Sequence, residues 1–100
     1  MTNHETYSSP LATRYASPAM QQTFSYRGRS LVWRDLWIAL AESSANLGLD
    51  ISAEQIADLK EHRDDIDFDR VAELERELRH DVMAHVHAYG EKATKAMPII

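Results

Sequence analysis

No cysteine occurs among the 100 residues. That rules out disulfides and thiolate metal sites and is compatible with a reducing compartment. The longest apolar run, LWIALA, spans six residues, where a membrane helix needs roughly 20. The start, MTNHETYSSP, has neither the basic cluster nor the apolar stretch of a secretory signal. Basic residues are in the minority, eleven against sixteen acids for a net charge of −5, which disfavours nonspecific binding to nucleic acid or to anionic lipid while leaving room for a local basic patch. Internal repeats and low-complexity tracts are absent too. A soluble, cytoplasmic protein with no nucleic-acid and no membrane partner is the expectation.

With 44% apolar and 27% charged residues, the chain has the composition of a globular protein rather than a disordered one. At this length it forms one domain at most and buries only about 60–65% of its unfolded surface. It finishes AMPII, on two isoleucines and with no polar tail, where an autonomous domain normally ends in solvent. The expectation is a chain interrupted partway.

Residues 1–29 hold two of the three prolines and show no helical period, so they are predicted as an extended N-terminal arm and loops. Residues 30–100 are predicted as a helical domain. Leu31, Trp33, Leu36, Trp37, Leu40, Ser44 and Leu47 fall at helical spacings and Gly48 follows as a C′ residue, giving a helix of about 17 residues with both tryptophans facing a core. Ser52 and Gln55 have the spacing of a capping box, flanked by Ile51 and Ile56 as a hydrophobic staple. That second helix is predicted to end near Glu61. Asp67 is the N-cap expected for a third, carrying Val71, Leu74 and Leu78 on one face, with Glu73–Arg76 and Glu75–Arg79 as supporting ion pairs.

RHDVMAHVHAYG, residues 79 to 90, holds the densest chemistry. As a strand it would bring His85 and His87 together in an H-x-H pair. As a helix it would be capped by Asp81, carry Val82, Val86 and Tyr89 as one stripe and end at Gly90, with His85 and His87 about 200° apart and not easily able to share a metal, whereas His80 and His87, seven apart, could face the same way. The flanking helices and cap signals favour the helix. A metal centre needs three or four supported ligands, and no such set is evident, so no metal is assigned. Arg79, His80 and Asp81 would then occupy a corner between two helices. There a guanidinium suited to planar anions, an imidazole able to donate or shuttle a proton, and a carboxylate meet beside a helix N-terminus. The competing possibility is an Arg79–Glu75 pair with a capping Asp81 and an idle histidine.

SSPLATRYASP, RDLWIALAES, GLDISAEQI and LRHDVMAHVHAYGEK together resemble the N-terminal region of the adenylosuccinate lyase family, within the fumarase/aspartase superfamily. R-Y-A-S-P and R-H-D-V-M-A-H-V-H are the most specific of these motifs. The resemblance runs from Tyr7 to Ile100. It implies an all-α fold, the N-terminal helical domain of a fumarase/aspartase-type enzyme, truncated before the central helical bundle of a homotetramer. It implies a C–N lyase of purine nucleotide biosynthesis that eliminates fumarate from adenylosuccinate, giving AMP, and from SAICAR, giving AICAR, with no metal or organic cofactor. By the same resemblance Arg14 and Tyr15 contact the nucleotide phosphate, while Arg79, His80 and Asp81 form a substrate-binding triplet in which His80 is a candidate assistant in proton handling.

Three departures bear on that resemblance. Ala19 stands where the family usually has glutamate, and Pro98 where it often has glycine. The chain also stops at Ile99-Ile100, ahead of the family's Gly-Ala-Thr-Ser stretch, its downstream histidine and its serine-bearing loop. No catalytic residue is therefore assigned within these 100 residues, and the chain alone is expected to be inactive. The alternative is a truncated, non-catalytic α-helical interaction module derived from the same fold.

Overall fold

Small polar side chains placed one residue ahead of each coil decide where this backbone turns helical. The computed structural model describes residues 4–100. Ser17 accepts from the Met20 amide at 3.1 Å with Pro18 in the first turn, opening α1, Pro18–Thr23. Ser25 accepts from the Gly28 amide at 3.0 Å and opens α2, Tyr26–Asn46. In α3, Ala53–Glu61, the capping box is complete: Ser52 Oγ accepts from the Gln55 amide at 3.2 Å, and Gln55 Oε1 accepts from the Ser52 amide at 3.0 Å. Asp67 caps α4, Phe68–Leu78, by accepting from the Arg70 amide at 3.1 Å. α5 spans Asp81–Lys92, and a 3₁₀ turn, Met97–Ile99, closes the chain. No strand occurs among the described residues, so the all-α expectation holds.

Gly48 adopts a φ of 94°, and the Leu49 amide reaches back to the Ser44 carbonyl at 3.1 Å while the Gly48 amide reaches Ala45 at 3.1 Å. This is the Schellman closure predicted for the end of the tryptophan helix, with glycine in the one conformation that suits it.

Two apolar clusters hold these helices. Val71 and Leu74 of α4 meet Ala84 and Ala88 of α5. Ile38 and Ala41 of α2, Leu59 of α3, and Tyr89, Ala93 and Ala96 form the other, with Trp37, Ile56, Ile99 and Ile100 packed against it. Trp37 stacks near Tyr89 at 6.2 Å between ring centroids, so the tryptophan helix contributes its rings to the core as expected. Arg34 is the least expected core residue. It is 1% exposed, its Nη1 donates to the carbonyls of His62 at 2.8 Å, Asp65 at 3.2 Å and Arg63 at 3.3 Å, and its guanidinium lies 4.0 Å from the Tyr89 ring centroid. Carbonyl dipoles after the end of α3 and an aromatic face offset part of the cost of this buried cation, while its Nε and Nη2 have no hydrogen-bond partner among the described residues. Tyr89 also donates its hydroxyl to the Leu59 carbonyl, and burial pushes that hydroxyl up to about 12.

Four local expectations are corrected. The arm of residues 1–29 is not extended throughout: a π-helical turn, Leu11–Tyr15, precedes α1, and α2 starts five residues before Leu31 because Ser25 caps it. The residues read as loop signals are cap residues. α5 is capped by His80 rather than Asp81, and it runs through Gly90, whose missing side chain lets Met97 approach to 2.8 Å of where a Cβ would stand. The buried stripe of α5 is Ala84, His85, Ala88 and Tyr89, not one of Val82 and Val86. Glu73 pairs with Arg70 at 3.0 Å, and Arg70 also forks Glu91 at 2.9 Å, in place of the pairs expected with Arg76 and Arg79.

Candidate functional site

α4 cannot run straight into α5 because Arg79 breaks the coil. Its φ of 53° and ψ of 39° are left-handed, and it is the only non-glycine residue with positive φ among those described. An arginine in this region carries steric strain of roughly 1–2 kcal/mol, and such strain gathers at functional positions. The Arg79 amide still closes on the Glu75 carbonyl at 2.8 Å. His80 then extends, with φ −150° and ψ 112°, and α5 begins at Asp81. The corner inferred from the sequence is therefore present, with the side chains of Arg79, His80 and Asp81 exposed to solvent.

The His80 cap has a chemical consequence. Nδ1 accepts from the Met83 amide at 3.2 Å, so the proton of the neutral ring resides on Nε2. His80 thus presents an outward N–H donor beside the N-terminus of α5, and a second proton on Nδ1 would remove the cap. Asp81 Oδ1 accepts from the Val82 amide at 2.9 Å, which aligns its carboxylate with the first turn. A guanidinium, an imidazole N–H donor and a helix N-terminus on one exposed corner suit a polyanionic ligand.

Arg14 and Tyr15 lie on the π-helical turn, both exposed, where the Ala16 amide closes on the Leu11 carbonyl at 2.7 Å. Between this turn and α1 is an open apolar cleft of about 410 Å³ lined by Leu11, Ala12, Ala16, Met20, Gln21 and Phe24. Arg79, His80 and Asp81 share the corner as consecutive residues, with no hydrogen bond or ion pair between their side chains among the described residues. The structure places Arg14 and Tyr15 on a separate element, and among the described residues no hydrogen bond or ion pair joins them to the corner.

Of the two later histidines, His85 is 1% exposed and His87 half-buried, as residues that pack rather than pair. His85 Nε2 lies 2.7 Å from the Tyr26 hydroxyl, with the rings of Trp33, Tyr26 and Phe68 edge-on around it. Burial first, and then the Arg34 cation, hold His85 below the ordinary imidazole value, with Asp81 opposing. Sequence reasoning missed this pair because its members are 59 residues apart. It also missed Asp58, Glu61 and His62, which put three ligand atoms within 4.8 Å. The i, i+3, i+4 spacing could have signalled that group. Asp58 is engaged, however: its Oδ2 accepts from the Lys95 amide at 2.9 Å and its Oδ1 faces His62 Nδ1 at 3.2 Å.

No family model matches the chain. Curated proteins do. The adenylosuccinate lyase of Schistosoma mansoni is 46% identical over 100 residues, that of Schizosaccharomyces pombe 43% over 103 and that of Saccharomyces cerevisiae 39% over 103. Each match takes in the whole of this chain and 21% of the relative, so the chain spans about one fifth of their length. No helix among the described residues is long and apolar enough to cross a membrane.

Proposed function

We propose, of a chain that matches the N-terminal region of adenylosuccinate lyases over its whole length, that it supplies nucleotide-binding residues to such an enzyme. The lyase would eliminate fumarate from adenylosuccinate to give AMP, and from SAICAR to give AICAR, as a cytoplasmic homotetramer in purine nucleotide biosynthesis. Identity of 46% across the 100 residues of this chain carries the assignment, and the exposed corner supports the roles proposed for its residues.

In the elimination a base removes a carbon-bound proton, the electron pair forms the double bond of fumarate, and the C–N bond breaks as the leaving nitrogen takes up a proton. The substrate carries a phosphate and two carboxylates. Arg79 provides a guanidinium fork for one of these anions, the Nε2–H of His80 donates to the same group or to the developing negative charge, and Asp81 fixes the first turn of α5 beneath them. Arg14 and Tyr15 contribute a second cation and a hydroxyl donor toward the phosphate. All of this is charge stabilisation and proton handling, chemistry that these side chain types supply themselves. The base, the remaining acid and the closing loop are assigned to the part of the enzyme outside these 100 residues.

A chimera tests the assignment: this chain replaces the corresponding N-terminal region of the S. cerevisiae lyase, and cleavage of adenylosuccinate is followed. The chimera is expected to turn over. Arg79→Ala is expected to raise KM about 10- to 100-fold, the loss of one charge-assisted contact. An inactive but correctly assembled chimera would contradict the assignment.

A further inference from the structure

Tyr26 and His85 lie outside the residues to which binding has just been assigned, yet they connect to the same corner. Tyr26 is the first residue of α2, fixed there by the Ser25 cap. Its hydroxyl meets His85 Nε2 at 2.7 Å, the only side-chain hydrogen bond between α2 and α5 among the described residues. His85 sits one helical turn beyond Asp81, on the same face of α5. Trp33 closes over the imidazole edge-on at 5.2 Å, and Phe68 of α4 stands 6.4 Å away. Arg29 lies 5.7 Å from the ring centroids of both Tyr26 and Trp33, and Tyr26 itself is 44% exposed while His85 beneath it is 1% exposed. The second half of α5 is anchored independently, through Tyr89 to Leu59 and Arg34. The first half, which carries the corner, packs on α4 through Ala84 and meets α2 through this hydrogen bond and the edge-on Trp33 ring.

We propose that the Tyr26–His85 hydrogen bond positions the first turn of α5, and with it His80 and Asp81, for anion binding at the corner. The inference rests on the lyase assignment for its effect on catalysis but not for its effect on the helix. Tyr26 and His85 are positioning residues, since neither is placed against substrate. A neutral His85 ring holds this bond with Nε2 accepting from the tyrosine hydroxyl or donating to its oxygen, according to which ring nitrogen carries the proton. The charged and titratable groups facing this pair are Arg34 and Arg29 from α2, Asp81 from its own helix, and Glu75 from α4. Both cations disfavour a proton on His85, and Asp81 favours one. Protonation would leave Nε2 a donor only, so the bond would then need the tyrosine oxygen to accept. A glutamine at 85 places an amide near the Nε2 position, able to accept or to donate without a titration.

Two measurements test this, and they separate failure of the inference from failure of the lyase assignment. On the 100-residue chain, amide hydrogen exchange of residues 81–85 is compared between the unaltered protein and Tyr26→Phe. Exchange there is expected to quicken about tenfold while Leu59 and Tyr89 stay as protected as before. In the chimera, Tyr26→Phe and His85→Leu are each expected to lower kcat/KM about tenfold, the cost of a small misplacement of binding groups. The double variant should be no worse than His85→Leu alone, because both remove one interaction. His85→Gln should retain most of the activity and lose any acid limb of the pH profile that His85 supplies. Unchanged exchange over residues 81–85 in Tyr26→Phe, or no protection there in the unaltered chain, overturns the inference whatever the chimera does. So does an active chimera in which the two losses simply add, or in which His85→Gln is as damaged as His85→Leu.

Discussion

Arg79 pays for its position in backbone strain, and that strain separates its structural role from its chemical one. Glycine or asparagine fits a left-handed conformation better than arginine. Arg79→Gly is therefore expected to leave the chain as stable or to raise stability by up to about 1 kcal/mol, read from the urea midpoint, while it weakens anion binding. A residue kept only for its fold would show the reverse. The sequence disclosed the triplet and its corner, because helix signals on both sides stop at these residues. It did not disclose that His80 rather than Asp81 is the cap, since imidazole is an uncommon cap and only geometry selects it.

His85 supplies a second test at this scale. Burial, reinforced by Arg34, keeps its folded-state value below the ordinary imidazole 6.5. The unfolded chain then binds the proton first, so the contribution of His85 is intact above pH 6.5 and is lost as pH falls below it toward the folded value. The thermal midpoint of the chain is expected to fall between about pH 7 and about pH 5, more steeply than in His85→Gln. Equal slopes would mean that His85 is not buried as a neutral ring. The Tyr26 contact itself could not be foreseen, because pattern reads neighbours three and four residues apart and this contact spans 59.

At the scale of elements, caps set the helix boundaries more sharply than hydrophobic period. Ser52→Ala removes the hydroxyl half of the capping box, leaving the Gln55 Oε1 bond to the backbone amide of residue 52, and is expected to destabilise by about 1 kcal/mol, seen as a lower urea midpoint with unchanged slope. The residues around it explain why α3 was legible to its last residue: S-x-x-Q, the flanking isoleucines and Gly48 ahead of them all act locally. The starts of α1 and α2 were not legible, because Ser17, Pro18 and Ser25 read equally well as loop formers or as caps. Gly90 was ambiguous in the same way. Glycine ends many helices, but here it admits Met97 against α5, a tertiary contact that has no local signature.

At the scale of the whole molecule, the described chain is elongated, 53 × 30 × 19 Å with a radius of gyration of 16.6 Å, where about 13 Å is usual for 100 compact residues. Its cores are correspondingly thin. Val32, Leu36 and Leu40 are 54%, 60% and 66% exposed along one face of α2, four residues apart on a common ridge. Leu36→Lys with Leu40→Gln is expected to change the stability of the chain by no more than about 0.5 kcal/mol per site, because neither side chain is buried. The sequence showed the apolar period of this helix but not that one ridge of it stays in solvent, because period alone does not say which face is covered.

The claim on which the rest depends is that the α4–α5 corner grips an anion of a nucleotide substrate. The most direct measurement is the KM for adenylosuccinate of the chimeric lyase with Arg79→Gly, taken beside the urea midpoint of the same variant in the 100-residue chain. A KM raised about 10- to 100-fold with stability undiminished is the predicted result. An active chimera whose KM and kcat are both untouched by Arg79→Gly would contradict it.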